Sequence, residues 1–217
     1  MPRVAVLASG NGTNFQALHD ACATGYAPAE IACVVTNKRD AGVVERANRA
    51  GVEVVVVRHR DRDPEEVDAV ILKAFEKRGV DAAFNAGYMR IRGPAYCKAM
   101  DGRSFNVHPS LLPAFPGAHS IRDAWDWGAK VSGVTVHYAT EDLDMGPIIL
   151  QRAVEIAPDD TIDSFEDKIH RTEYVLYPKV LKLYAEGLVR LDDGSVVIER
   201  DVDEPPWAGD LPPGLGQ

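Results

Sequence analysis

Two stretches hold residues whose types and spacing can do chemistry. "FNVHPSLLPAFPGAHS" carries Asn106 and His108 two positions apart, ahead of a loop rich in proline. Alternation along a strand would point both side chains the same way. Alone, each is ordinary: a histidine is more often a hydrogen-bonded structural residue, and His119 and His137 are rivals for any catalytic part. The second stretch, "TEDLDMGPI", places Glu141, Asp142 and Asp144 in a polar loop before an apolar run. A strand-entering turn would account for it. An amide donor, a proton donor and a carboxylate in one place, however, suit a reaction that develops charge on an oxygen.

A third feature, "ASGNGTNFQAL", follows an apolar run and opens an amphipathic stretch. Gly10 and Gly12 permit a tight turn, and the first-turn amides of Thr13 and Asn14 with the helix dipole would make an anion site. Thr13 or Asn14 acting as helix cap needs no ligand. The dinucleotide fingerprint is incomplete: Phe15 stands at the third glycine, and the second apolar run ends in Asn37 and Lys38 with no carboxylate. A phosphomonoester fits this loop better than a dinucleotide.

The elements that must position these groups read as one α/β domain. Valine-rich runs at 3–9, 31–37, 52–57 and 81–87 alternate with helical patterns at 13–23, 42–50 and 64–78. That order predicts a mostly parallel, twisted, Rossmann-like sheet flanked by helices. "SFNVH" is the next strand, followed by a helix near 121–127. The runs at 131–139 and 147–156 suggest an antiparallel extension, and a long helix spans about 161–186. Residues 1–191 form the domain, and 192–217 read as an irregular tail rich in proline, glycine and acid. Ligands in such sheets bind beyond the carboxyl ends of the strands.

The 217 residues hold 24 Lys and Arg against 33 Asp and Glu, a formal net charge of -9. That balance argues against a nucleic-acid partner. Three cysteines fit no disulfide frame or zinc spacing, so no metal is expected. The start, "MPRVAVLAS", shows no leader and the chain no long apolar span, so the expectation is a soluble cytoplasmic protein with no membrane association.

In order along the chain, "SGNGTN", "GYMRI", "NVHPSLLPAFPGAHS", "GVTVHY" and "LDMGPIILQ" resemble the folate-dependent formyltransferases. The likeness covers residues 3–191, and "HPSLLP" with the following Asp-x-Gly-Pro is its most specific part. "PGAHS" and "RTEYVLYP" are most similar to members that formylate glycinamide ribonucleotide in purine synthesis. The resemblance implies a formyl group passing from 10-formyltetrahydrofolate to an amine through a tetrahedral intermediate. It implies Asn106, His108 and Asp144 as catalytic residues. Gly12, Thr13 and Asn14 match the phosphate segment, and His170 and Glu173 fall in the helix whose acid binds the ribose. Met89, Arg90, Ile91 and Arg92, with Asn106 and the loop Thr140, Glu141, Asp142, Leu143 and Asp144, match the folate-binding stretches.

Two positions depart from the family pattern. Asn85 stands where an apolar residue is usual, and Arg92 where a small or apolar one is common. The expectation is that only the Arg92 backbone meets the pterin. Arg60 or Arg62 would have to replace the family arginine that contacts the folate tail. The rivals are a formyltetrahydrofolate hydrolase, a tRNA formyltransferase and a non-catalytic nucleotide-binding module. Hydrolases tend to carry a second histidine where Pro109 stands, and a regulatory domain ahead of the first strand. Small-molecule partners are implied, with monomer and homodimer both open.

Overall fold

The computed structural model describes residues 1–59, 62–88 and 92–215. In chain order, β1 (Arg3–Leu7), α1 (Thr13–Ala23), β2 (Glu30–Thr36), α2 (Gly42–Arg49), β3 (Val54–Val56), α3 (Pro64–Arg78) and β4 (Ala82–Asn85) follow the alternation seen in the sequence. A short α4 (Pro94–Ala99) precedes β5 (Ser104–His108) and α5 (Ser120–Trp127). Then come β6 (Val131–Tyr138), β7 (Ile148–Glu155), α6 (Ile162–Ala185) and a hairpin of β8 (Val189–Asp192) and β9 (Ser195–Ile198).

The main sheet runs β3-β2-β1-β4-β5-β6-β7. Pairs from β3 through β5 are parallel, and β6 and β7 add antiparallel, as the alternating runs at 131–139 and 147–156 suggest. Its strands read as unbroken apolar runs because both faces are covered. On β1, Val4 and Val6 join the core shared with α1 and α6, while Ala5 and Leu7 join the core under α3 and α4. The chain builds outward from β1 through β2 to β3, then returns to lay β4 on the other side of β1. That reversal opens a crevice at the carboxyl ends of β1 and β4.

Helix boundaries follow from local chemistry. Asp63 accepts the Glu65 amide at 2.7 Å, Pro64 opens α3, and Gly79 in the left-handed region closes it. Thr161 and Ser164 form a reciprocal capping box at the start of α6. The segment after Leu191 is packed on the domain. Trp207 is buried in the core and donates to the Tyr174 carbonyl at 2.9 Å, and the Gly214 amide donates to Asp20 at 2.8 Å. Among the described residues, no helix is long and apolar enough to cross a membrane.

Candidate active site

The carboxyl ends of β1, β4 and β5 and the facing end of β6 carry the polar groups named from the sequence. On β5, Asn106 and His108 share a face, and their register partners on β6 are His137 and Thr135. The Asn106 amide nitrogen lies 3.1 Å from His137 Nε2, and His137 Nδ1 lies 2.9 Å from the Tyr138 carbonyl. Since a carbonyl only accepts, Nδ1 carries the proton and Nε2 accepts from Asn106. Burial holds the His137 pKa below the ordinary histidine value, against the raising effects of the Tyr138 carbonyl and Asp144. A neutral His137 thus fixes which end of the Asn106 amide is the donor.

His108 is 4% exposed, with Nε2 3.0 Å from the Phe115 carbonyl and Nδ1 3.4 Å from Asp144 Oδ2. Both ring nitrogens therefore face oxygen atoms that can accept a hydrogen bond. The Phe115 carbonyl is held there by the proline loop. Thr135 Oγ1 donates to the Ser110 carbonyl at 2.7 Å and accepts the Leu112 amide at 3.1 Å, while Gln151 donates to the Leu112 carbonyl at 2.8 Å. Asp144, buried, is fixed by the Gly117 amide at 2.8 Å, and its other oxygen lies 3.9 Å from His137 Nε2. Thus the carboxylate lies between two histidines.

Part of this grouping opens onto a cleft of about 480 Å³ including its mouth. Asn106, His137 and Asp144 line it with Asn85, Tyr88, Arg92 and the loop Thr140, Glu141, Asp142 and Leu143. Leu143 is 54% exposed, an apolar side chain poised over the opening. His119 lies elsewhere, at the N-cap of α5 with no side-chain capping bond.

The glycine loop makes a second subsite. Gly12 is the N-cap of α1 at φ 76°, with no side-chain cap, so neither Thr13 nor Asn14 takes the capping role. A Cβ at Gly12 would sit 2.7 Å from Val43, which is why the loop can lie so close to α2. Asn14 donates to Glu173 at 2.9 Å, and His170 Nδ1 lies 3.1 Å from the same carboxylate oxygen. The hydrogen bond to Glu173 raises the His170 pKa to about 9, against desolvation. The start of α1 and the middle of α6, far apart in the chain, therefore meet through these three side chains.

Two neighbours of the site carry no decisive local signal. The sequence makes His137 only a rival of His108, and its bond to Asn106 depends on cross-strand register. Arg46 of α2 donates to the Asn11 carbonyl at 2.9 Å, bringing a cation beside the α1 amides. No local pattern marks it. Met89, Arg90, Ile91 and Arg60 lie outside the described residues, and Arg62 is exposed on the loop before α3.

The profile of the formyl transferase family matches residues 2–181, and the chain belongs to that family. Within it, the chain is similar to the phosphoribosylglycinamide formyltransferase of Haemophilus influenzae, 39% identical over 92% of this chain and 94% of that one. A glycinamide ribonucleotide transformylase from Symbiobacterium toebii superposes with a TM-score of 0.87 at 40% identity, covering 92% and 95% of the two chains. A formyltetrahydrofolate deformylase from Pseudomonas syringae superposes at 0.85, but at 27% identity and over 66% of its length, against 92% of this chain.

Proposed function

We propose that the chain transfers the formyl group of 10-formyltetrahydrofolate to the amine of glycinamide ribonucleotide, a step of purine biosynthesis. The observation that carries this reading is that two polar groupings lie at the carboxyl-end side of the parallel strands, the glycine loop after β1 and the Asn106 grouping beside the end of β4. One presents an amide donor, a histidine and a buried carboxylate. The other presents uncapped helix amides beside a Glu173–His170 pair. A hydrolase needs the first but has no use for the second, whereas a phosphoribosyl amine needs both.

Each residue then has a part. Asn106, oriented by neutral His137, offers an N–H to the formyl oxygen as negative charge develops there. His108, on the same face of β5 as Asn106, donates a proton and assists transfer to the departing folate nitrogen. Asp144 fixes the His108 ring and stabilises it when it carries both protons. The amides of Thr13 and Asn14 with the α1 dipole hold the phosphate, and Arg46 adds positive charge nearby. Glu173 accepts from the ribose hydroxyls.

The cleft suits the donor in chemistry: it has both apolar and polar walls and is lined by the Thr140–Asp144 loop. A single-turnover assay with labelled formylfolate, with and without glycinamide ribonucleotide, tests the function. Formylated product only when the amine is present is the expected result. Formate release at the same rate without the amine would make the protein a hydrolase.

A further inference from the structure

The two departures from the family pattern touch each other. Arg92 Nη2 donates to Asn85 Oδ1 at 2.9 Å, and the residues are 7% and 6% exposed. Asn85 is itself fully engaged: its amide nitrogen donates to the Phe105 carbonyl at 2.8 Å and to Ser104 Oγ at 3.1 Å. The guanidinium carbon lies 4.3 Å from the Tyr88 ring centroid and 5.0 Å from that of Tyr96. A rigid side chain from β4 and two aromatic faces therefore hold one arginine in one place.

A buried charge is held only where hydrogen bonds and neighbouring groups offset its desolvation. The same two side chains line the cleft shared by Asn106, His137 and Asp144. A guanidinium offers only donors, in one plane, so it selects an edge that carries acceptors and disfavours one that carries donors. We infer that Arg92, held by Asn85, is a specificity-determining residue that recognises an acceptor-bearing edge of the formyl donor's ring, such as its 4-oxo group. This rests on the formyl-transfer reading above. It adds a side-chain contact where the family resemblance implies only the backbone.

The test compares binding of two probes by calorimetry without the amine substrate: 10-formyltetrahydrofolate, and its analogue with a 4-amino group in place of the 4-oxo. The proteins are the wild type and the double variant Asn85→Leu/Arg92→Leu, which removes the guanidinium and the amide that binds it together. The wild type prefers the 4-oxo donor, and the double variant reduces that preference by about tenfold, as expected for one charge-assisted hydrogen bond. In turnover, donor KM rises more than kcat falls. An unchanged preference, with only a lower melting temperature, would make the pair a structural pin and overturn the inference. Should the double variant not fold, Arg92→Lys, which keeps the charge and loses the planar fork, decides the matter: a reduced preference supports the role and an unchanged one refutes it. A wild type that binds neither donor would overturn the formyl-transfer reading itself, a different result from a variant that keeps its preference.

Discussion

Asn106 and His137 face each other across the antiparallel join of β5 and β6, with the Asn106 amide nitrogen 3.1 Å from His137 Nε2. Because His137 Nδ1 donates to the Tyr138 carbonyl, the ring accepts at its other nitrogen and fixes the orientation of the amide. His137 is thus a positioning residue for the proposed oxyanion donor. His137→Leu is expected to lower kcat about tenfold or more while leaving the nucleotide KM nearly unchanged. A nucleotide KM that rises as much as kcat falls would place the effect elsewhere. His137→Gln, which keeps an acceptor, should recover part of the loss.

Asp144 adopts φ 56°, a left-handed conformation that asparagine tolerates well. Asp144→Asn therefore removes the charge beside His108 with little strain. Turnover should fall about 100-fold, with donor binding largely kept. If turnover were unaffected in a folded variant, the carboxylate would have no part in the proton transfer, and Asp142 would be tested next.

At the glycine loop, Gly12→Ala places a Cβ 2.7 Å from Val43 in a left-handed backbone. It should destabilise the protein by about 1–3 kcal/mol and weaken binding of the phosphorylated substrate. Inorganic phosphate or sulfate should compete with glycinamide ribonucleotide in the wild type. Equal affinity for the nucleotide and its unphosphorylated riboside would remove the phosphate assignment.

The His170–Glu173 pair sets a pH dependence. With its pKa raised to about 9 by the Glu173 hydrogen bond, His170 stabilises the fold fully below about 6.5, the ordinary value, and the contribution is lost as pH rises through 9. His137, whose pKa burial lowers, acts the other way: stability falls as pH drops below about 6.5. Thermal melts from about pH 7 to 10 should therefore show a decline that His170→Gln flattens. Parallel curves for the two proteins would exclude the pair as its source.

Local chemistry makes much of this architecture readable. The α3 bounds follow from Asp63, Pro64 and Gly79, and α1 begins where Gly12 breaks the apolar run. The six-residue α4 is too short for a periodic signal. The β8–β9 hairpin straddles the start of the stretch that reads as a tail, although Asp193 and Gly194 carry a turn signature between two alternating runs. Burial of Trp207 within that same stretch is long-range packing with no local trace. The site divides the same way. Asn106 and His108 show themselves by strand alternation, whereas Asn106 meeting His137, and Asn85 meeting Arg92, depend on register and loop path.

His108, rather than His137 or His119, is the proposed proton donor. Single-turnover formyl transfer at saturating substrates tests this most directly, in His108→Ala, His137→Ala and His119→Ala, each checked for folding and donor binding. His108→Ala is expected to lose nearly all transfer with donor affinity close to wild type. His137→Ala should keep a reduced rate because Asn106 persists without its guide, and His119→Ala, at the α5 N-cap, should be nearly normal. A fully inactive His137→Ala beside an active His108→Ala would contradict the assignment and leave His108 a structural histidine in a polar turn.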